Sequence, residues 1–215
     1  MAAFTLIIGN KNYSSWSLRS WLVMKQAGLE FEEIRIPLDR PETRDRLLHY
    51  SPSGRVPVLQ HGDLTIWESL AICEYLAELV PAAPLYPAAP EARAIARAVS
   101  CEMHAGFAKL RTHLPMDCRA RHTDLGVAPD VQADIDRVTA IWRECRQRFG
   151  GSGDLLFGDF SIADAMYAPV VSRFITYGVT LDPVCQAYTD ALWALPAMQD
   201  WLTAAAAEVE SIPHH

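Results

Sequence analysis

The sequence predicts a two-domain chain: a small α/β domain over residues 1–80, a linker over 81–90 and an all-helical domain over 91–215. Three observations carry this. The first 80 residues alternate short apolar runs with amphipathic stretches in the order β-α-β-α-β-β-α. Residues Pro81-Ala82-Ala83-Pro84-Leu85-Tyr86-Pro87-Ala88-Ala89-Pro90 set four prolines among small residues, the composition of an extended, semi-rigid linker. Beyond Glu91 the apolar spacing is helical, with no convincing strand.

Phe4–Ile8 is a short continuous apolar run, as expected of a buried central strand. The loop Gly9–Tyr13 leads to Ser14-Ser15-Trp16-Ser17, where serine is a favoured helix cap. Leu18, Trp21 and Leu22 make one face of that helix; Val23 and Met24 widen it, so it is expected to be covered on more than one side. Gly28 is placed to stop it. Phe31–Ile36 reads as a second strand, parallel to the first through a right-handed crossover. Asp39-Arg40-Pro41-Glu42 reads as the start of a short helix running to about Leu48. Residues 91–113 carry one long helical pattern that stops at Leu114-Pro115, and Thr123–Pro129 reads as a connection. Val131–Phe149 is a second long helix. Ser161 and Asp164 have the spacing of a capping box, opening a helix to about Tyr177. Residues 183–194 and 196–208 give two more helices, and Pro213-His214-His215 reads as a frayed end.

The stretch from Pro52 to Ser69 organises the rest. Pro57 within Arg55-Val56-Pro57-Val58-Leu59 cannot donate to a strand ladder, so it belongs at the strand's first residue, after a turn built on Pro52 and Gly54. A cis Val56–Pro57 bond would leave the backbone N–H and C=O of Val56 facing outward. Gln60–Asp63 makes a hairpin turn, Leu64–Trp67 returns, and Glu68-Ser69 opens a helix to about Leu79. One short stretch thus offers an unpaired backbone segment, a carboxylate, a hydroxyl and a helix N-terminus. Those parts suit a small zwitterionic peptide.

Composition narrows the partners. The formal net charge is −7 and no basic cluster is visible, which argues against nucleic acid. No apolar run reaches the ~18–20 residues of a membrane span, and no signal peptide is visible. The five cysteines (Cys73, Cys101, Cys118, Cys145, Cys185) are scattered and form neither Cys-x-x-Cys nor a zinc spacing. Each is expected to be a small buried hydrophobe in a reducing cytoplasm, with no metal.

Val56-Pro57-Val58-Leu59 followed by Glu68-Ser69-Leu70-Ala71-Ile72-Cys73-Glu74-Tyr75-Leu76 resembles the thiol-peptide site of glutathione transferases. The domain order is that of a thioredoxin-like fold, and with the helical second domain the resemblance covers nearly the whole chain. Ser14-Ser15-Trp16-Ser17-Leu18-Arg19 is similar to the first-helix motif of the serine-type group that includes the zeta class, with Trp16 standing where that class has cysteine. The resemblance implies a glutathione transferase fold and a cytoplasmic homodimer. It implies glutathione as co-substrate with no other cofactor, and transfer to a small hydrophobic electrophile in detoxification. A glutathione-dependent isomerase of the maleylacetoacetate type, or a peroxidase, is the alternative on the same site. The non-enzymatic alternative is a ligand- or partner-binding module.

Residue roles follow from the same resemblance. Val56, beside Pro57, pairs its backbone with the peptide as an added strand. Ser69 and its helix N–H groups hold the γ-glutamyl carboxylate, Glu68 faces the ammonium, and Arg55 neutralises the glycine carboxylate. A thiol with pKa ~8.5 is mostly protonated at pH 7, and lowering it by two units takes roughly 2.7 kcal/mol. One hydrogen bond to the thiolate plus a helix N-terminus can supply that. Ser14 is expected to donate it as the last loop residue, with Ser15 better placed to cap the helix. Ser15 and Tyr13 stay open as donors. His104 is a candidate for the electrophile side of the cleft.

Overall fold

The computed structural model describes residues 3–122 and 128–212. Phe4–Ile8 form β1, whose alternate side chains serve two layers. Phe4, Leu6 and Ile8 face the main core; Ile7 faces a smaller cluster with Ile36, Leu47 and Val58. Helix α1 (Ser15–Gln26) follows, then β2 (Phe31–Arg35), α2 (Thr43–Tyr50), β3 (Val58–His61), β4 (Leu64–Trp67) and α3 (Ser69–Leu79). The sheet order is β2-β1-β3-β4, with β1 parallel to β2 and the other pairs antiparallel. This is the mixed four-stranded sheet of a thioredoxin-like fold, as the apolar runs predict. Gly28 and Gly62 take φ of +67° and +59°, the left-handed geometry that the end of α1 and the β3–β4 turn require.

Helices α4 (Pro90–Ala105), α5 (Ala108–His113), α6 (Pro129–Phe149), α7 (Ile162–Thr176), α8 (Pro183–Trp193) and α9 (Pro196–Ala206) complete the described residues. The capping box at α7 is formed: Ser161 N–H and Oγ donate to Asp164 Oδ2 at 2.8 and 2.9 Å. Helix α7 is the buried axis of the helical domain and packs against α1 and α4, so one apolar core runs through both domains. That accounts for an α1 buried on nearly every side. Trp142 sits at the centre of an aromatic group with Tyr167, Phe174 and Tyr188, and Trp21 meets Trp201 across the domains, ring centroids 5.2 Å apart.

Four local expectations are corrected. The single helix expected over 91–113 is two, because Gly106 is extended and Phe107 takes φ +57° to place its ring in the core. Helix α2 begins at Thr43 rather than at Asp39, whose φ of +56° is left-handed. Ser14, not Ser15, is the N-cap of α1. Cys101 is exposed, whereas the other four cysteines are buried. The expected connection over 123–129 falls mostly, and the frayed end at 213–215 wholly, outside the described residues.

Candidate active site

Three segments meet at one cavity of ≈ 380 Å³: the first turn of α1, the approach to β3 and the start of α3. Trp16, Ser53, Arg55, Val56 and Pro57 form one side, with Glu68 and Ser69 beside them. His104 and Ala105, at the end of α4, close the other. The Val56–Pro57 bond is cis, and among the described residues neither the N–H nor the C=O of Val56 takes part in a backbone hydrogen bond.

The start of α3 carries two unusual features. Glu68 has φ +71°, an uncommon conformation for a side chain-bearing residue, and makes no capping hydrogen bond; its carboxylate is exposed toward the cavity. Ser69 is fully buried and its hydroxyl has no partner among the described residues. A buried hydroxyl without a partner costs free energy unless a ligand completes it. Beside it lie the free N–H groups of the first turn of α3, an anion-binding arrangement.

At α1, Ser14 Oγ lies 2.7 Å from Ser17 Oγ and accepts from the Ser17 N–H at 3.4 Å. Ser17 Oγ in turn accepts from the Gly9 N–H at 3.1 Å. Ser14 and Ser17 are both buried, and either hydroxyl can donate to the other. Where Ser17 is the donor, the Ser14 proton is left for another acceptor. Ser14 and Ser15 are buried and are not part of the cavity wall, while Trp16, next along the helix, is. Tyr13 points elsewhere: its hydroxyl accepts from Arg119 Nη2 at 2.9 Å, and it is held by Ser211 and Ile212 of the C-terminal segment.

The far wall carries the His104 imidazole, and guanidinium groups lie behind Trp16 rather than in the lining. His104 Nε2 lies 3.7 Å from Glu68 Oε2, and its ring meets Trp16 edge-on at 5.3 Å. Burial, then repulsion from Arg19, lowers the His104 pKa, against the pull of Glu68. Behind Trp16 lies Arg19, fully buried, with Nε and Nη1 unpartnered among the described residues. Its guanidinium carbon is 4.3 Å from the Trp16 ring centroid, and that of Arg111 is 5.5 Å away on the same ring. Burial, with repulsion from Arg173 and Arg111, lowers the Arg19 pKa to about 9. Sequence reasoning missed Ser53 and Trp16 in the lining, and Arg19 behind Trp16. The signal for Arg19 was a charge on a helix whose apolar residues wrap nearly all round.

Comparison with known proteins bears on this geometry. Residues 13–79 match the glutathione S-transferase N-terminal domain family and residues 128–204 the C-terminal domain family. The chain is 34% identical over 174 residues to maleylacetoacetate isomerase of Mus musculus, spanning 79% of this chain and 77% of that protein. The chain belongs to the glutathione S-transferase family. A probable maleylacetoacetate isomerase of Caenorhabditis elegans is 29% identical over 171 residues, 79% of this chain and 78% of its own. Among solved structures, a glutathione transferase homologue from Burkholderia with bound glutathione superposes with a TM-score of 0.74 at 27% identity, covering 96% of this chain and 100% of that one. The glutathione transferase fold of this chain, thioredoxin-like domain followed by helical domain, is therefore shared along nearly its whole length.

Proposed function

We propose that the chain binds glutathione in the cavity between α1, β3 and α3 and ionises its thiol for reaction with a small electrophile. The observation that carries this is the buried, unpartnered Ser69 hydroxyl at the N-terminus of α3, beside the outward carboxylate of Glu68. A γ-glutamyl group offers a carboxylate for Ser69 and the α3 N–H groups, and an ammonium for Glu68. The open backbone of Val56 pairs with the cysteinyl unit as an added strand, and Arg55 faces the glycine carboxylate. In this reading Ser17 donates to Ser14, Ser14 in turn donates to the sulfur, and Ser15 is the alternative donor. Tyr13 is the least favoured of the three, because its hydroxyl is engaged by Arg119. His104 faces the electrophile.

A second reading is favoured by one observation. Arg19, Arg111 and Arg173 repel one another close to the cavity, and Arg19 has no carboxylate partner among the described residues. Positive charge set behind Trp16 rather than in the lining favours, through its field, an electrophile that carries carboxylates, as maleylacetoacetate does, and supports a glutathione-dependent isomerase. The two chemistries part after thiolate addition: a transferase keeps the carbon–sulfur bond, whereas an isomerase expels the thiolate after rotation about the former double bond. We also propose a cytoplasmic homodimer, on the family resemblance; light scattering at micromolar concentration tests it.

The deciding experiment is thiolate absorbance of bound glutathione against pH. Ser14→Ala is expected to raise the thiol pKa by about one to two units, at 1.36 kcal/mol per unit, with glutathione affinity little changed. A shift confined to Ser15→Ala or Tyr13→Phe overturns the Ser14 assignment. A panel of aryl halides, hydroperoxides and maleylacetone separates transferase, peroxidase and isomerase.

A further inference from the structure

The loop that delivers Ser14 is held from the far end of the chain. Residues 10–13 lie between β1 and α1, and Lys11 and Asn12 are buried. Among the described residues, neither of their backbone N–H groups reaches a backbone acceptor. Both donate instead to one carboxylate, that of Glu208: Lys11 N to Oε1 at 2.7 Å and Asn12 N to Oε2 at 3.1 Å. The Glu208 side chain is only 6% exposed, so these are shielded, charge-assisted bonds. The segment carrying Glu208 is itself pinned. Arg35 pairs with Glu208 at 3.5 Å and Glu210 at 2.9 Å, and Arg119 donates to the carbonyls of Glu208 and Glu210 at 2.5 and 2.9 Å. From the other side, Trp201 Nε1 donates to the Lys11 carbonyl at 2.9 Å and the Cys118 N–H to the Asn12 carbonyl at 3.2 Å.

We infer that Glu208 is a positioning residue for the thiol site, fixing the β1–α1 loop through the Lys11 and Asn12 N–H groups so that Ser14 is held at its donor position. The link is short. Ser14 N and Tyr13 N both donate to the Asn10 carbonyl, at 2.8 and 3.2 Å, so the turn that Glu208 clamps is the one that aims Ser14. Without the carboxylate, two buried N–H groups lose their acceptors, and the loop must open toward water to satisfy them. A hydroxyl displaced by an ångström then loses its hydrogen bond to sulfur while the peptide's anchors at Val56 and Ser69, on other elements, stay in place. The inference rests on the reading of Ser14 as the donor to sulfur.

The test compares wild type, Glu208→Ala, Glu208→Gln and Ser14→Ala. Three quantities are read: the pKa of bound glutathione, the affinity for S-methylglutathione, and hydrogen–deuterium exchange over residues 9–15. Glu208→Ala is expected to leave about three- to tenfold less thiolate at fixed pH below the wild-type pKa, to keep affinity within about twofold, and to speed exchange in the loop. Glu208→Gln retains one acceptor and is expected to fall between; it serves as the reporter if the alanine variant does not fold. Loop exchange and thiol pKa both unchanged in the glutamine variant, or in a folded Glu208→Ala, overturn the inference. A thiol pKa moved by Ser14→Ala but not by Glu208→Ala also overturns it. A pKa moved by Glu208→Ala but not by Ser14→Ala instead removes the Ser14 assignment and leaves Glu208 positioning a different donor on the same loop.

Discussion

The Arg19 guanidinium sits 4.3 Å from the centroid of the Trp16 ring, fully buried and without a carboxylate partner among the described residues. A stacked indole offsets part of the cost of burying that charge, and the repulsion from Arg173 and Arg111 adds to it. Arg19→Met, similar in length and apolar, is expected to stabilise the unliganded protein by about 1–4 kcal/mol. If the charge behind Trp16 draws a carboxylate into the cavity, the same substitution weakens turnover of maleylacetone more than that of an uncharged aryl halide. Urea unfolding and paired kinetics check both halves; a destabilised variant with unaltered substrate preference contradicts them.

In the proposed binding mode, Glu68 and Ser69 hold the end of the peptide remote from sulfur. Glu68→Gln and Ser69→Ala are therefore expected to raise the KM for glutathione by about tenfold, the cost of one charge-assisted hydrogen bond, with a smaller effect on kcat. Steady-state kinetics with varied glutathione checks this. A large fall in kcat at constant KM contradicts the assignment.

His104 is expected to remain neutral at pH 7 and to titrate below 6.5, since burial and then Arg19 disfavour its imidazolium. Below pH ~6.5 the unfolded chain takes up a proton that the folded imidazole resists, so stability falls as pH drops through that window toward the folded value. Glu68→Gln removes a charge that favours the imidazolium and lowers the midpoint further; Arg19→Met raises it. Imidazole NMR titration of the three proteins gives the midpoints. A wild-type midpoint above 6.5 contradicts the sign.

The fold was legible where local chemistry and periodicity agree. Phe4–Ile8, the hairpin returning at Leu64–Trp67 and the capping box at Ser161 each announce themselves within a few residues. The break at Gly106–Phe107 was hidden because Met103, Phe107 and Leu110 continue an apolar spacing through it, and only tertiary packing selects the left-handed Phe107. At the site, Val56, Pro57, Glu68 and Ser69 were legible because one hairpin and its helix bring them together. His104 joins them across the domains. Glu208 was beyond reach of sequence reasoning: 197 residues separate it from Lys11, and a surface-type glutamate near the C-terminus has no local signature of its partner.

The clasp of Glu208, Arg119 and Trp201 on the first loop has a consequence for recombination of this chain with its relatives. The proline-rich segment looks like the natural seam at which to splice two parents, since it lies between the sheet and the helices. A crossover there would inherit the loop at 10–13 from one parent and its anchors from the other. Chimaeras that exchange residues 10–13, 117–119, 201 and 208–210 as one block should keep their thiol chemistry, because the heritable unit of this site is scattered over both halves of the gene.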